Sequence, residues 1–128
     1  MKFLSKEWLE GHQALLQAEF SKKSRVKTKL VEIYEDCPDG KTRWIYYSLK
    51  DGLLEEFKSD EGNDLPEATF RCYGKYESYV KVLTGEISPK ASLMDGTFTL
   101  EGNMMKALAM LGVYNRISKC KDVKGTVY

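Results

Sequence analysis

The segment from Ala68 to Leu111 constrains the fold most: short strands and helices alternate in it, and each junction carries its own stop or start signal. Ala68-Thr-Phe-Arg-Cys-Tyr alternates apolar and polar residues, as a half-buried strand does, and ends at Gly74. Tyr76, Tyr79, Val80 and Leu83 follow at helical spacing, and Gly85 is placed to end that helix. Ser88 stands where an N-cap belongs, with Pro89 at the first helical position. Asp95-Gly96 predicts a turn into the strand Thr97 to Glu101. Gly102-Asn103 breaks that strand, and Asn103 can cap a last apolar helix.

Upstream, Ser5 is a plausible N-cap and Glu7 suits the first turn of a helix running to about Phe20, with Leu4, Trp8, Leu15 and Leu16 as its apolar stripe. Val26 to Tyr34 reads as a strand. Thr42 to Leu49 is a second strand, Asp51-Gly52 a hairpin turn, and Leu53 to Phe57 a third. The acidic stretch Lys58 to Leu65 predicts a loop. The order is one helix, a three-strand meander, a fourth strand, two helices, a fifth strand and a C-terminal helical segment.

Two-residue turns make the meander antiparallel, and helices must cover one sheet face to bury it. The expected class is therefore α+β: one domain over residues 1–128, with a five-stranded, mainly antiparallel sheet. Side-chain alternation assigns Phe70 with Cys72, and Phe98 with Leu100, to the inner face. Val31 and Ile33 are the expected inner pair of the first strand. In the second strand Trp44 and Tyr46 compete with Ile45, Tyr47 and Leu49, so both faces have apolar character. The C-terminal helix offers Met104, Met105, Leu108 and Leu111 toward the sheet, together with Tyr114. Read from residues alone, these methionines are ordinary core, although methionine also adapts to irregular ligands.

The ordered set Gly74, Tyr76, Leu83, Gly85, Pro89, Ala91, Leu93, Met94, Gly96, Phe98, Leu100, Gly102 and Asn103 resembles the sterol carrier protein family of nonspecific lipid-transfer domains. The match covers about a third of the chain, and the remaining elements are compatible in order. The resemblance implies a tunnel between the helices and the inner sheet face. It makes Val31, Ile33, Phe70, Cys72, Val80, Leu83, Leu93, Met94, Phe98, Leu100, Met104, Met105, Leu108 and Leu111 the expected ligand-binding set. The implied ligands are fatty acids, fatty acyl-coenzyme A or other lipids. A chain of this length buries roughly two-thirds of its unfolded surface, so room for such a cavity is limited.

Other features narrow the function. Lys plus Arg number 20 against 19 for Asp plus Glu, which argues against a nucleic-acid binder. Three widely spaced cysteines, Cys37, Cys72 and Cys120, argue against a disulfide framework or a zinc site. The start is too short and polar for a signal peptide and the end is not of the Ser-Lys-Leu type, so a cytoplasmic location is expected. His12 is the only histidine and reads as an exposed helix residue. Glu55 and Glu56 are adjacent on a strand, so they point to opposite faces and cannot pair as acid and base. Nothing here amounts to a catalytic constellation, and no cofactor or metal is expected. The run Lys22, Lys23, Arg25, Lys27, Lys29 reads as solvated surface or as a contact for anionic head groups or membranes. Trp44 and Tyr46, with Tyr34, read as an outer aromatic patch, either a small satellite cluster covered by aliphatic stems or a surface for a homodimer or another partner. The leading expectation is a non-enzymatic lipid carrier. The alternatives are a small enzyme acting on an apolar substrate and a protein-interaction module.

Overall fold

The structure is a computed structural model that describes residues 1–128. Helix α1 (Lys6–Glu19) begins where Ser5 accepts a hydrogen bond from the Trp8 backbone N–H at 3.2 Å. Strands β1 (Thr28–Glu35), β2 (Arg43–Lys50) and β3 (Leu53–Glu61) form the antiparallel meander. Asp51 and Gly52, both with positive φ, turn β2 into β3. The chain then crosses to the far side of β1, where β4 (Phe70–Lys75) lies parallel to it. Helices α2 (Tyr76–Leu83) and α3 (Pro89–Met94) precede β5 (Thr99–Glu101), which pairs antiparallel with β4. Two short helices close the order, α4 (Met104–Ala109) and α5 (Leu111–Lys119). The strand order is β3-β2-β1-β4-β5, so the sheet is mainly antiparallel with one parallel pair.

The expected caps at Ser88 and Asn103 form, accepting from the backbone N–H groups of Ala91 and Lys106. Gly85 takes φ +78 just past the end of α2. Residues 58–61, expected in a loop, extend β3 instead. An edge strand tolerates charge because its outer side faces water. Here Glu61 also pairs across to Lys41 at 3.2 Å and to Arg43 at 3.7 Å.

The two faces of β1 are opposite to expectation. Leu30, Glu32 and Tyr34 point inward, beneath the helices, while Val31 and Ile33 join Trp44 and Tyr46 in an outer cluster. Leu65 and Ala68, from the crossing between β3 and β4, pack against that cluster together with Tyr73. Trp44 and Tyr46 are consequently buried within the chain, and Tyr34 is not part of their patch. In β2 the inward set is Ile45, Tyr47 and Leu49.

Helix α1 is also rotated from the expected stripe. Trp8, His12 and Leu16 are fully buried, four residues apart on one face, while Leu15 is 40% exposed. His12, expected at the surface, therefore lies in the core. The C-terminal helix is interrupted at Met110. Ala107 and Ile117 are buried, whereas Met104, Met105 and Leu108 are exposed. The methionines expected against the sheet are exposed there. Instead the small Ala107 takes the position against the sheet.

Candidate functional site

Between the inner sheet face and the helices lie two adjoining, mainly apolar cavities. The larger, about 320 Å³, lies among α2, α3, α5 and β4; Leu83, Leu93, Phe98, Leu111 and Tyr114 are among its apolar walls, and Lys90, Asn115, Ser118 and Lys121 are its polar ones. The smaller, about 50 Å³, lies between β1, β4, β5 and the two last helices, and Leu30, Phe70, Leu100, Met110 and Ile117 are among its walls. Cys72, Leu93, Leu111 and Tyr114 line both. The larger volume stands at the lower end of ligand-pocket sizes, roughly 300–1,000 Å³.

Of the sequence-derived ligand set, Phe70, Cys72, Leu83, Leu93, Phe98, Leu100 and Leu111 come together on these walls. Val80 is partly buried and packs against the main core without lining either cavity. Val31 and Ile33 lie on the opposite sheet face. Met94, Met104, Met105 and Leu108 are 58–80% exposed, outside the cavities. The cysteines are free and buried, and burial pushes the Cys72 thiol up to about 11, so it packs as an un-ionised group. Lys22, Lys23, Arg25, Lys27 and Lys29 are exposed. Lys27 and Lys29 share an open groove with Lys50, Lys106 and Glu55.

Beside the larger cavity sits a polar cluster that sequence reasoning missed. Glu32 is fully buried, and four donors occupy its carboxylate. Oε1 accepts from the hydroxyls of Tyr34 at 3.1 Å and Tyr47 at 2.7 Å. Oε2 accepts from the Tyr114 hydroxyl at 2.9 Å and from the Lys121 ammonium. Lys121 is itself 2% exposed, and the rings of Tyr34, Tyr79 and Tyr114 stand 5.4–6.0 Å from its nitrogen. Burial alone would raise the Glu32 carboxyl, but the charge of Lys121 and the bonds from Lys121, Tyr47 and Tyr114 outweigh it and hold Glu32 below the usual carboxylate range. The four tyrosines of the cluster are pushed well above 10, by burial first and then by Glu32 or Cys72.

His12 extends the chain of bonds. Its Nδ1 lies 2.7 Å from the Cys120 carbonyl oxygen and its Nε2 2.8 Å from the Tyr47 hydroxyl. Burial pushes His12 down to about 4; the Cys120 bond opposes this, Lys121 adds to it and Glu32 opposes it. All four acceptor positions of Glu32 are filled, and both nitrogens of His12 are engaged. Through Tyr114 and Lys121 the cluster forms a polar part of the cavity wall. The one sequence signal for it was a charge inside the otherwise apolar run Leu30 to Tyr34; nothing in the sequence marks Lys121 as its partner.

A five-stranded, mainly antiparallel sheet with helices over one face defines an α+β class of small domain. The architecture is that of the sterol carrier proteins. The chain superposes on a crystal structure of sterol carrier protein 2 with a TM-score of 0.73, at 21% identity over 93% of this chain and 97% of that one. It matches the sterol carrier protein domain 2 of Helicoverpa armigera at 0.62, with 15% identity over 86% and 87% of the two chains. For palmitated SCP2L2 from Aedes aegypti the score is 0.54, with 16% identity over 86% and 94%. No protein-family model matches the chain. No curated protein matches it either. No helix is long and apolar enough to cross a membrane.

Proposed function

We propose that this protein is a non-enzymatic carrier that binds fatty acids, fatty acyl-coenzyme A or similar lipids in its internal apolar space. The observation that carries the reading is the pair of adjoining apolar cavities against the inner sheet face of a sterol carrier fold. The palmitated Aedes aegypti structure supports a fatty acyl ligand for this architecture. Each buried methylene contributes about 0.8 kcal/mol, whereas one neutral hydrogen bond adds only about 1 kcal/mol. Chain burial therefore dominates affinity, and ligands of varied chemistry can share the space.

Titration with a fluorescent acyl probe tests this. Saturable, competable binding in the micromolar range, roughly −8 kcal/mol, is the expected result. Leu93 lines both cavities, so Leu93→Trp should weaken the probe about tenfold or more, near 1.4 kcal/mol. Met105 is 79% exposed, so Met105→Trp should leave affinity unchanged. No binding across chain lengths rejects the carrier reading, and equal loss from both substitutions would place the ligand elsewhere.

The exposed basic run suits encounter with anionic membranes, and its groove with Lys50 and Lys106 adds to the same positive surface. Transfer from anionic vesicles should slow as salt rises, because screening shortens from about 10 Å at 0.1 M to about 3 Å at 1 M. Lys22→Glu with Lys23→Glu should slow it further, while affinity for a soluble acyl ligand holds. Transfer indifferent to both salt and charge reversal would leave these residues as solvated surface.

A further inference from the structure

The hydrogen bonds around Tyr47 are one proton short when the imidazole is neutral. A carbonyl oxygen can only accept, so His12 Nδ1 carries a proton for Cys120. In a neutral ring Nε2 is then bare. The single Tyr47 hydroxyl proton must serve two acceptors, His12 Nε2 at 2.8 Å and Glu32 Oε1 at 2.7 Å. Adding one proton at Nε2 completes the chain: His12 donates to Tyr47, and Tyr47 donates to Glu32. That state adds a positive charge beside the Lys121 ammonium, in a buried region where an uncompensated charge is costly. The empty protein therefore favours the proton-poor chain, in keeping with the lowered proton affinity of His12.

Lys121 is among the residues that line the larger cavity and has three N–H donors, of which Glu32 is the one oxygen partner. Tyr114, beside it, lines the same cavity. An anion there would meet unused donors and offset the charge that suppresses His12 protonation. We propose that the Lys121–Tyr114 wall of the cavity holds the monoanionic head group of an aliphatic ligand, and that binding draws one proton from solution onto His12 Nε2, completing the His12–Tyr47–Glu32 chain. This rests on the carrier reading and specifies its head-group chemistry.

The groups that face His12 are few. They are Trp8 of α1, Glu32 of β1, Tyr47 of β2, Phe57 of β3, and the Cys120 carbonyl and Lys121 from the segment after α5. Lys121 opposes protonation of His12 and Glu32 favours it. A bound anion tips this balance toward the imidazolium form. Affinity for an anion should then rise as pH falls, by up to about tenfold per pH unit when a full proton is taken up.

Calorimetry with decane-1-sulfonate and decan-1-ol, in buffers of different ionisation enthalpy between pH 5.5 and 7.5, tests the proposal. The sulfonate stays ionised throughout, so any proton taken up belongs to the protein. Sulfonate binding is expected to consume a proton and to strengthen as pH falls, while decanol binding does neither. His12→Gln should still bind both ligands but take up no proton. The imidazole nitrogen-15 signals of the wild type provide a check independent of any variant, since His12 is the sole histidine. They should move toward the imidazolium form when sulfonate is added. Sulfonate binding without proton uptake, uptake that survives His12→Gln, unchanged imidazole signals, or binding of decanol alone each overturns the head-group inference and leaves the carrier reading standing. Binding of neither ligand removes both.

Discussion

Lys121→Met should destabilise the protein by about 3–5 kcal/mol, since it leaves Glu32 as an uncompensated charge in the core. Net stabilities of small domains are only about 5–15 kcal/mol, so roughly a fifth of the total or more is at stake. The double variant Glu32→Gln with Lys121→Met should recover most of the loss. It removes both charges while keeping an amide oxygen that can accept from the tyrosine hydroxyls. Urea unfolding of the wild type, the single variant and the double variant measures the difference. A single variant as stable as the double one would show that the pair is not electrostatically coupled. The comparison separates the cost of breaking the pair from its net worth, which for buried ion pairs is often near zero.

Stability should fall steeply on mild acidification. His12 is held near 4 in the folded protein against an ordinary 6.5, so between those pH values the unfolded chain binds more protons than the folded one. Stability therefore rises with pH across that window, and about 3 kcal/mol is lost on going from pH 7 down to pH 4. Glu32 acts in the same direction at lower pH: its folded carboxyl is depressed, so its contribution is present above 4.5 and fades as pH drops below that. With a single histidine in the chain, the slope between about 5 and 6.5 has one main source. His12→Gln should flatten it while leaving the steeper acid limb intact. Thermal melts at half-unit pH steps would reveal this, and a flat wild-type profile from pH 7 to 5 would contradict a buried neutral imidazole.

Much of the architecture was legible because it depends on local chemistry. The caps at Ser5, Ser88 and Asn103, the stop at Gly85 and the turn at Asp51-Gly52 are each set by a few neighbouring residues. Where apolar and polar residues alternate cleanly, as in β4, the inward side chains Phe70 and Cys72 were readable too. The cavity walls drawn from β4, α3 and β5 follow from the same patterns.

Buried polar residues were the least legible part of the chain. Alternation assigns a charged residue to water, so Glu32 sent Val31 and Ile33 inward on paper. In the folded chain Glu32 finds a cation from 89 residues away and three tyrosine hydroxyls, and these bonds offset its desolvation. No local rule contains that partner. His12 was misplaced likewise, because its two bonds reach Tyr47 and the Cys120 carbonyl, 35 and 108 residues distant. The methionines of α4 are long and apolar, which favours burial, yet the buried position of that helix belongs to Ala107.

The sequence by itself determined the order of elements, their caps and turns, the α+β class and part of the cavity's apolar walls, because these arise from propensities and periodicities acting over a few residues. Only the tertiary structure decided which face of β1 is inner, where the methionines point, and that a buried polar cluster forms part of the cavity wall. Those outcomes depend on contacts between distant segments, and a charge enters a core only where such contacts supply its partners.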